Sequence, residues 1–250
     1  MKYLGSKSRV SKELVPIIQK YINDNNIKTY IEPFVGGANI IDKVKCKHRV
    51  GSDIDNIPIS LFNYYVNNAD KLDELPHLPT KGHFYDVRNN PLNYSKFYRS
   101  AILLFASYNA RVYGGCYGAY ATTKAGNIRN YFQESIRNFK KQIPNLTNIE
   151  FYNCDYRELD GHCCLNNCVI YCDIPYKDTC HKKEYLYEFD HYKFYDWCIE
   201  TSKNNVVLIS EYNMPSDKFE CIWQQEVKTH LNNRNKQAKI EKLFIVKQKN

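Results

Sequence analysis

Between Ser8 and Asn23, apolar residues fall at Val10, Leu14, Val15, Ile17, Ile18 and Ile22, the spacing of one helical face. Only Pro16 interrupts this helical spacing. Thr29-Tyr30-Ile31-Glu32-Pro33-Phe34 then reads as a short strand running into Gly36-Gly37, and His48 to Asp53 as a second buried strand. Strand, glycine turn, helix and a strand closing on an acid form the opening of a nucleotide-binding α/β unit. Helical spacing returns from Tyr94 to Tyr108 and from Asn130 to Gln142. Between these segments, Val112 to Asn127 is rich in glycine and tyrosine and without period, which predicts an exposed functional loop. After Pro144 the pattern is strand-like at Ile149–Tyr152, Cys168–Cys172 and Val206–Ser210. Cys221 to Lys228 and Ile240 to Lys247 flank a polar loop and read as a terminal hairpin. No internal repeat or low-complexity tract appears. The prediction is one α/β domain carrying a basic, largely helical insertion.

Charge sharpens this division. The chain's 250 residues carry a net charge of +8, and the segment from Lys81 to Asn145 holds ten basic residues against two acidic ones, so it accounts for the whole excess. The same segment contains eight tyrosines, among them Tyr108, Tyr113, Tyr117 and Tyr120. Cations suit phosphates and planar rings suit bases, so this mixture points to a nucleic-acid surface rather than a merely solvated face. Asn109, Arg111, Lys124, Asn127 and Arg129 are its candidate DNA contacts, joined by Lys2 near the N-terminus. No apolar run reaches the length of a membrane span, and Met1-Lys2-Tyr3-Leu4-Gly5 lacks the pattern of a signal peptide, so a cytoplasmic location without membrane contact is expected. The ten cysteines are expected to be reduced. Cys163, Cys164, Cys168 and Cys172 lack the matched second pair of a zinc knuckle, so no metal is expected. His181, His191 and His230 have no ligand partner at useful spacing and are expected at the surface.

Three groups of residues sit at the ends of predicted strands, where open α/β sheets place their ligand crevice. Glu32-Pro33-Phe34-Val35-Gly36-Gly37 pairs an acid with glycines that let backbone amides approach a ligand. Asp53 can accept both hydroxyls of a ribose or can cap the following helix. Asp173-Ile174-Pro175-Tyr176 offers a carboxylate, a carbonyl and an aromatic face on a rigid turn. An exocyclic amine whose lone pair is delocalised into a base becomes a better nucleophile when two acceptors take its hydrogens, and a tyrosine face can hold an extruded base.

Tyr3-Leu4-Gly5-Ser6-Lys7, the EPFVGG turn, Gly51-Ser52-Asp53-Ile54-Asp55 and the Asp-x-Pro-Tyr turn, in this order, resemble Dam-like DNA adenine methylases. Phe151-Tyr152-Asn153-Cys154-Asp155-Tyr156 resembles that family's segment around the cofactor adenine. The resemblance implies a Rossmann-like methyltransferase sheet ending in an antiparallel hairpin, with a catalytic domain of residues 1–56 and 146–250 and a target-recognition insertion at 57–145. It implies that Tyr3, Lys7, Glu32, Pro33, Phe34, Gly36, Gly37, Asp53, Asp155, Tyr156 and Asp173 line an S-adenosylmethionine pocket. Asp173, Ile174, Pro175 and Tyr176 would serve the target base, and duplex DNA would be the partner of a monomeric enzyme of restriction-modification type without metal. Two departures stand out. Position 174 is isoleucine where the family usually has proline; methylases of ribosomal RNA carry an aliphatic residue there, in an Asn-Ile/Leu-Pro-Tyr turn, so isoleucine is compatible with catalysis. The recognition pattern for GATC is not evident in Val112–Asn127. An RNA adenine methylase and a catalytically silent DNA-binding module remain the alternatives.

Overall fold

A computed structural model of the chain describes residues 1–177, 189–227 and 239–247. Helix α1 spans Ser11–Asp24, and strands β1 (Thr29–Glu32) and β2 (His48–Ser52) follow. Four helices come next, α2 (Asn56–Tyr65), α3 (Lys81–Asn89), α4 (Lys96–Ala106) and α5 (Tyr131–Leu146), with the strands β3 (Tyr120–Thr122) and β4 (Ile128–Asn130) between α4 and α5. Strands β5 (Ile149–Tyr152) and β6 (Cys168–Asp173), helix α6 (His191–Thr201), and strands β7 (Val206–Glu211), β8 (Phe219–Val227) and β9 (Lys239–Val246) complete the order.

The main sheet runs β5-β2-β1-β6-β7-β9-β8. Its first five strands are parallel, while β9 is antiparallel to both β7 and β8. This is the expected Rossmann-like sheet with a terminal antiparallel hairpin. Winding proceeds outward from β1 in one direction through β2 and β5, then in the other through β6 and β7. The switch point, and with it the ligand crevice of such sheets, lies at the carboxyl ends of β1 and β6.

Side chains alternate between two cores, as the period of a strand requires. Tyr30, Val169, Tyr171 and Leu208 face a core shared with α1 and with α2 to α5. Ile31, Ile170, Cys172, Val207 and Ile209 face a second core closed by Phe194, Tyr195 and Cys198 of α6. The basic segment therefore shares a core with the sheet. Cys168 and Cys172 are buried free thiols in this second core.

Four expectations need correction. Helix α5 continues beyond Gln142 through Pro144 to Leu146, as α1 runs unbroken through Pro16. Each proline removes one helical hydrogen bond, at a cost of about 3 kcal/mol. The buried faces Leu14, Ile18, Ile22 and Phe132, Ile136, Phe139, Ile143 outweigh it, at roughly 1.5–3 kcal/mol per side chain. Residues 33–47 form successive turns in place of the expected helix. Ala38 there has φ 53, and the carbonyls of Gly37 and Ala38 are taken by Gln142 Nε2 at 3.2 and 2.9 Å. The segment Val112–Asn127 is not irregular throughout, since β3 pairs with β4 in a small hairpin whose turn is closed by Gly126 at φ 79. Three-residue strands are too short to print a period. Finally, His191 is half-buried at the start of α6, its ring 4.9 Å from Phe189. His181, His230 and the 231–238 stretch of the terminal hairpin's loop lie outside the described residues.

Residues 107–118 make a closed loop. Tyr108 N–H donates to Cys116 O at 2.8 Å and Gly118 N–H to Ala106 O at 2.8 Å. A Cβ at Gly118 would stand 2.7 Å from Tyr108 Cα, a backbone contact that cannot move aside. Gly118→Ala is therefore expected to destabilise the protein by about 1–3 kcal/mol. Gly161→Ala, where a Cβ meets nothing within 4 Å, should change stability far less. Urea unfolding of both variants checks the contrast.

Candidate active site

At the switch point the chain opens into a cleft of about 750 Å³. Every residue expected to hold a cofactor or to serve a target base lies on its wall: Tyr3 and Lys7 before α1, Glu32 to Gly37 after β1, Asp53 after β2, Asp155 and Tyr156 after β5, and Asp173 to Tyr176 after β6. Of the six candidate DNA contacts, only Arg111 is on the wall. Lys2 is exposed near the N-terminus, and Lys124, Asn127 and Arg129 are exposed on the β3–β4 hairpin. Arg129 forms a two-pronged ion pair with Glu134, at 2.8 and 3.0 Å.

Three carboxylates occupy the ends of adjacent strands, and each has a different set of donors. Glu32 is 3% exposed and accepts from Tyr30 Oη at 2.6 Å; burial pushes its carboxyl well above the usual range. Asp53 accepts from the amides of Gly36 and Asp55, both at 2.9 Å. Burial raises its pKa to about 7 against the pull of these amides. The cap of α2 is Asp55, whose Oδ1 accepts from Ile57 N–H at 2.9 Å, so Asp53 is not a helix cap. Asp173 lies 2.7 Å from Lys7 Nζ; burial raises its carboxyl and Lys7 opposes the rise.

The glycines of the first turn serve a packing role. Gly36 has φ 45, and a Cβ there would lie 2.8 Å from the Tyr3 ring; one at Gly37 would lie 2.7 Å from Tyr3 Cβ. Their absent side chains let Tyr3 lie across the turn and line the cleft. Beside them Phe34 and Tyr156 pack at 5.5 Å, with Phe189 5.7 Å from Phe34, to give one aromatic corner. Asp155 caps the short helix after β5 and is gripped by Arg157, Nε to Oδ1 at 2.7 Å. Burial alone would raise its pKa, but the Arg157 hydrogen bonds bring it below the usual value.

The Asp173–Tyr176 turn is held from several directions. Ile174 is buried in the α6 core, which explains an aliphatic side chain at this position. Tyr176 donates to Glu241 Oε2 at 2.7 Å, meets Tyr212 edge-on at 4.5 Å, and has Lys7 Nζ 4.6 Å from its ring centroid. Glu211, 1% exposed, accepts from the amides of Lys177 at 3.1 Å and Tyr212 at 2.6 Å. Sequence reasoning missed Glu211 and Glu241. Glu211 closes β7 and carries the same signal, an acid at a parallel strand's carboxyl end, that marked Glu32, Asp53 and Asp173. Glu241, inside an antiparallel strand, carries none. Among the described residues, no group of three or more His, Cys, Asp or Glu could hold a metal, and no helix is long and apolar enough to cross a membrane.

Removing Lys7's ammonium leaves Asp173 in its buried position without a cation. Lys7→Met is expected to cost about 3 kcal/mol at pH 8. The loss should shrink towards pH 5, because Asp173, its pKa raised further, can then bind a proton and shed its charge. Urea unfolding across this range tests it; a pH-independent loss would show that the pair is not what stabilises the turn.

A family model, the D12 class of N6 adenine-specific DNA methyltransferases, matches residues 3–240. The chain is 25% identical over 207 residues to the type II methyltransferase M.MjaIII of Methanocaldococcus jannaschii, covering 71% of this chain and 68% of that protein. It is also 25% identical over 197 residues to the modification methylase StsI of Streptococcus sanguinis, covering 72% of this chain and 28% of that longer protein.

Proposed function

Because the chain belongs to the D12 class of N6 adenine-specific DNA methyltransferases, we propose that its cleft binds S-adenosylmethionine beside an adenine extruded from duplex DNA. The observation that carries this reading is the cluster of three carboxylates, Glu32 buried and Asp53 and Asp173 half-buried, beside an aromatic corner along the cleft. Family membership decides for DNA against the RNA alternative and for an enzyme against a silent binding module.

The residues fit the cofactor. Asp53, with both oxygens already fixed by backbone amides, suits the two hydroxyls of a ribose. Phe34 and Tyr156 offer apolar faces to a purine. Glu32, a carboxyl that burial holds above its usual range, gains when a cationic group comes near. When bound, S-adenosylmethionine supplies a methyl on a positively charged sulfur, electrophilic enough for direct transfer.

The chain's own part is to prepare the amine. Asp173 accepts one hydrogen of the adenine N6 and the Ile174 carbonyl the other, which localises the nitrogen lone pair. Tyr176 stacks on the base, with its ring steadied by Glu241 and Tyr212. Lys7 orients Asp173 and favours its ionised form against the effect of burial. Alignment and fixed dipoles supply the rate, without a covalent enzyme intermediate.

Residues 57–145 form the target-recognition part. The β3–β4 hairpin exposes Lys124, Asn127 and Arg129, and a two-stranded ribbon has the width to enter a major groove. Arg129's pair with Glu134 is exposed and weakened by water and salt, so a guanine edge can replace the carboxylate. Asn109 and Arg111 contribute from the closed loop, and Lys2 from the N-terminal side. In this reading the enzyme acts as a monomer in the cytoplasm, and the names of its relatives, a type II methyltransferase and a modification methylase, support a modification role.

Sequencing methylated adenines in DNA from cells that express the chain tests the proposal; no modified site would overturn it. Asp173→Ala is expected to lower turnover at least about a hundredfold while S-adenosylmethionine still binds by calorimetry. Asp53 predicts a pH dependence. Its raised pKa means that it favours the folded state when protonated, and this contribution is lost as pH rises through about 7. Ribose needs the ionised form, so affinity for S-adenosylhomocysteine should rise about tenfold from pH 6 to 8 and level off above. Asp53→Asn should flatten that profile.

A further inference from the structure

The closed loop of residues 107–118 meets the cofactor side of the cleft at one defined point. Tyr113 Oη donates to Asp55 Oδ1 at 2.6 Å. Asp55 is the residue whose amide donates to Asp53 Oδ1 and whose carboxylate caps α2. Tyr3, which lies over Gly36 and Gly37, hydrogen-bonds to Asp55 as well. Two hydrogen bonds thus separate a loop of the recognition segment from the carboxylate assigned to ribose.

The loop is built to transmit a pull at its tip. Its base is closed by the Tyr108–Cys116 and Gly118–Ala106 backbone bonds and by a bridge between Ser107 and Tyr117. Gly115 packs so tightly that a Cβ would stand 2.3 Å from Arg111 O. Asn109 and Ala110 both have φ 55. Such left-handed positions persist only where the surroundings hold them, so a change in the tip's anchorage alters how firmly the whole loop is held. Arg111, Val112 and Tyr113 line the cleft on the inner side, while Tyr108 next to them is 57% exposed on the outer.

We propose that Tyr113 is a positioning residue that ties the recognition loop to the ribose site through Asp55, so that filling of the nucleoside pocket fixes the loop before DNA arrives. The proposal rests on the S-adenosylmethionine reading of the cleft. A ribose on Asp53 immobilises that carboxylate, the Asp55 amide that it accepts, and the Asp55 side chain that receives Tyr113. The coupling is reciprocal by necessity: whatever the nucleoside does for the loop, DNA seated on the loop does for the nucleoside.

Hydrogen exchange of the full chain with and without S-adenosylhomocysteine tests this, with calorimetry run in parallel. In the wild type, S-adenosylhomocysteine should slow exchange across 107–118 on the order of five- to a hundredfold. In Tyr113→Phe, which loses one oxygen, that slowing should fall below about twofold, while protection at Gly36 and Gly37 remains. Asp55→Asn keeps an acceptor oxygen and should retain the protection; Asp55→Ala should lose it. If S-adenosylhomocysteine binds and the loop's exchange is unchanged in the wild type, or equally slowed in Tyr113→Phe, the coupling is refuted. Calorimetry that shows no binding to the wild type overturns the cofactor reading itself, and the coupling with it.

Discussion

Placing several acids out of water at the ends of neighbouring parallel strands is costly unless each finds its own donors. Glu32 and Glu211 are fully in this position, and Asp53 and Asp173 are partly so. The fold answers with four different sets of donors: a tyrosine hydroxyl for Glu32, turn amides for Asp53, an ammonium for Asp173 and loop amides for Glu211. Much of the local architecture follows from these sets. The turn after β1 must bring Gly36 N–H to Asp53; the segment before α1 must bring Lys7 to Asp173; and the turn after β6 must bring the Lys177 amide to Glu211. The conformations of the cleft's loops are those that keep the acids satisfied.

The order of strands makes this concentration possible. β1 and β6 are neighbours at the switch point, so the chains leaving them diverge to opposite sides and leave a crevice between Glu32 and Asp173. An antiparallel partner on β7 then brings Glu241 across from the far edge to the Tyr176 hydroxyl. The terminal hairpin therefore does more than extend the sheet: it supplies one of the groups that hold the Asp173–Tyr176 turn.

Much of this could be read from the chain because the signals are local. Strands β1, β2, β5, β6 and β7 are short β-branched or aromatic runs bounded by turns, and the acids that close them stand at their ends in sequence as in space. What could not be read has physical reasons. Helix α2 is mostly buried, at Ile57, Pro58, Ile59, Leu61, Phe62 and Tyr65, so only the narrow stripe of Asn56, Ser60 and Asn63 marks its period over ten residues. Helix α3 is only nine residues long. The turns after β1 depend on Gln142, more than a hundred residues away, taking the carbonyls of Gly37 and Ala38. The Asp53 ambiguity, ligand or cap, was resolved by a neighbour two residues along that took the capping role.

Those long-range ties also bear on how the inserted helices can communicate with the cleft. Helices α2 to α5 bury their apolar faces in the core that the sheet itself uses, with Phe62 packed at 4.7 Å on Phe151 of β5 and at 6.1 Å on Phe139 of α5. A segment so continuous with the sheet cannot swing as a rigid body without opening that core, and close-packed interiors resist such opening. Adjustment to a ligand is therefore left to the cleft's loops and the β3–β4 hairpin, and even the loop of residues 107–118 is anchored in that core by Val112. Of these, the loop holds a hydrogen bond to the acidic end of β2 through Tyr113. The Tyr113–Asp55 hydrogen bond is thus a point at which a local adjustment of the loop reaches the end of β2 without disturbing the core beneath.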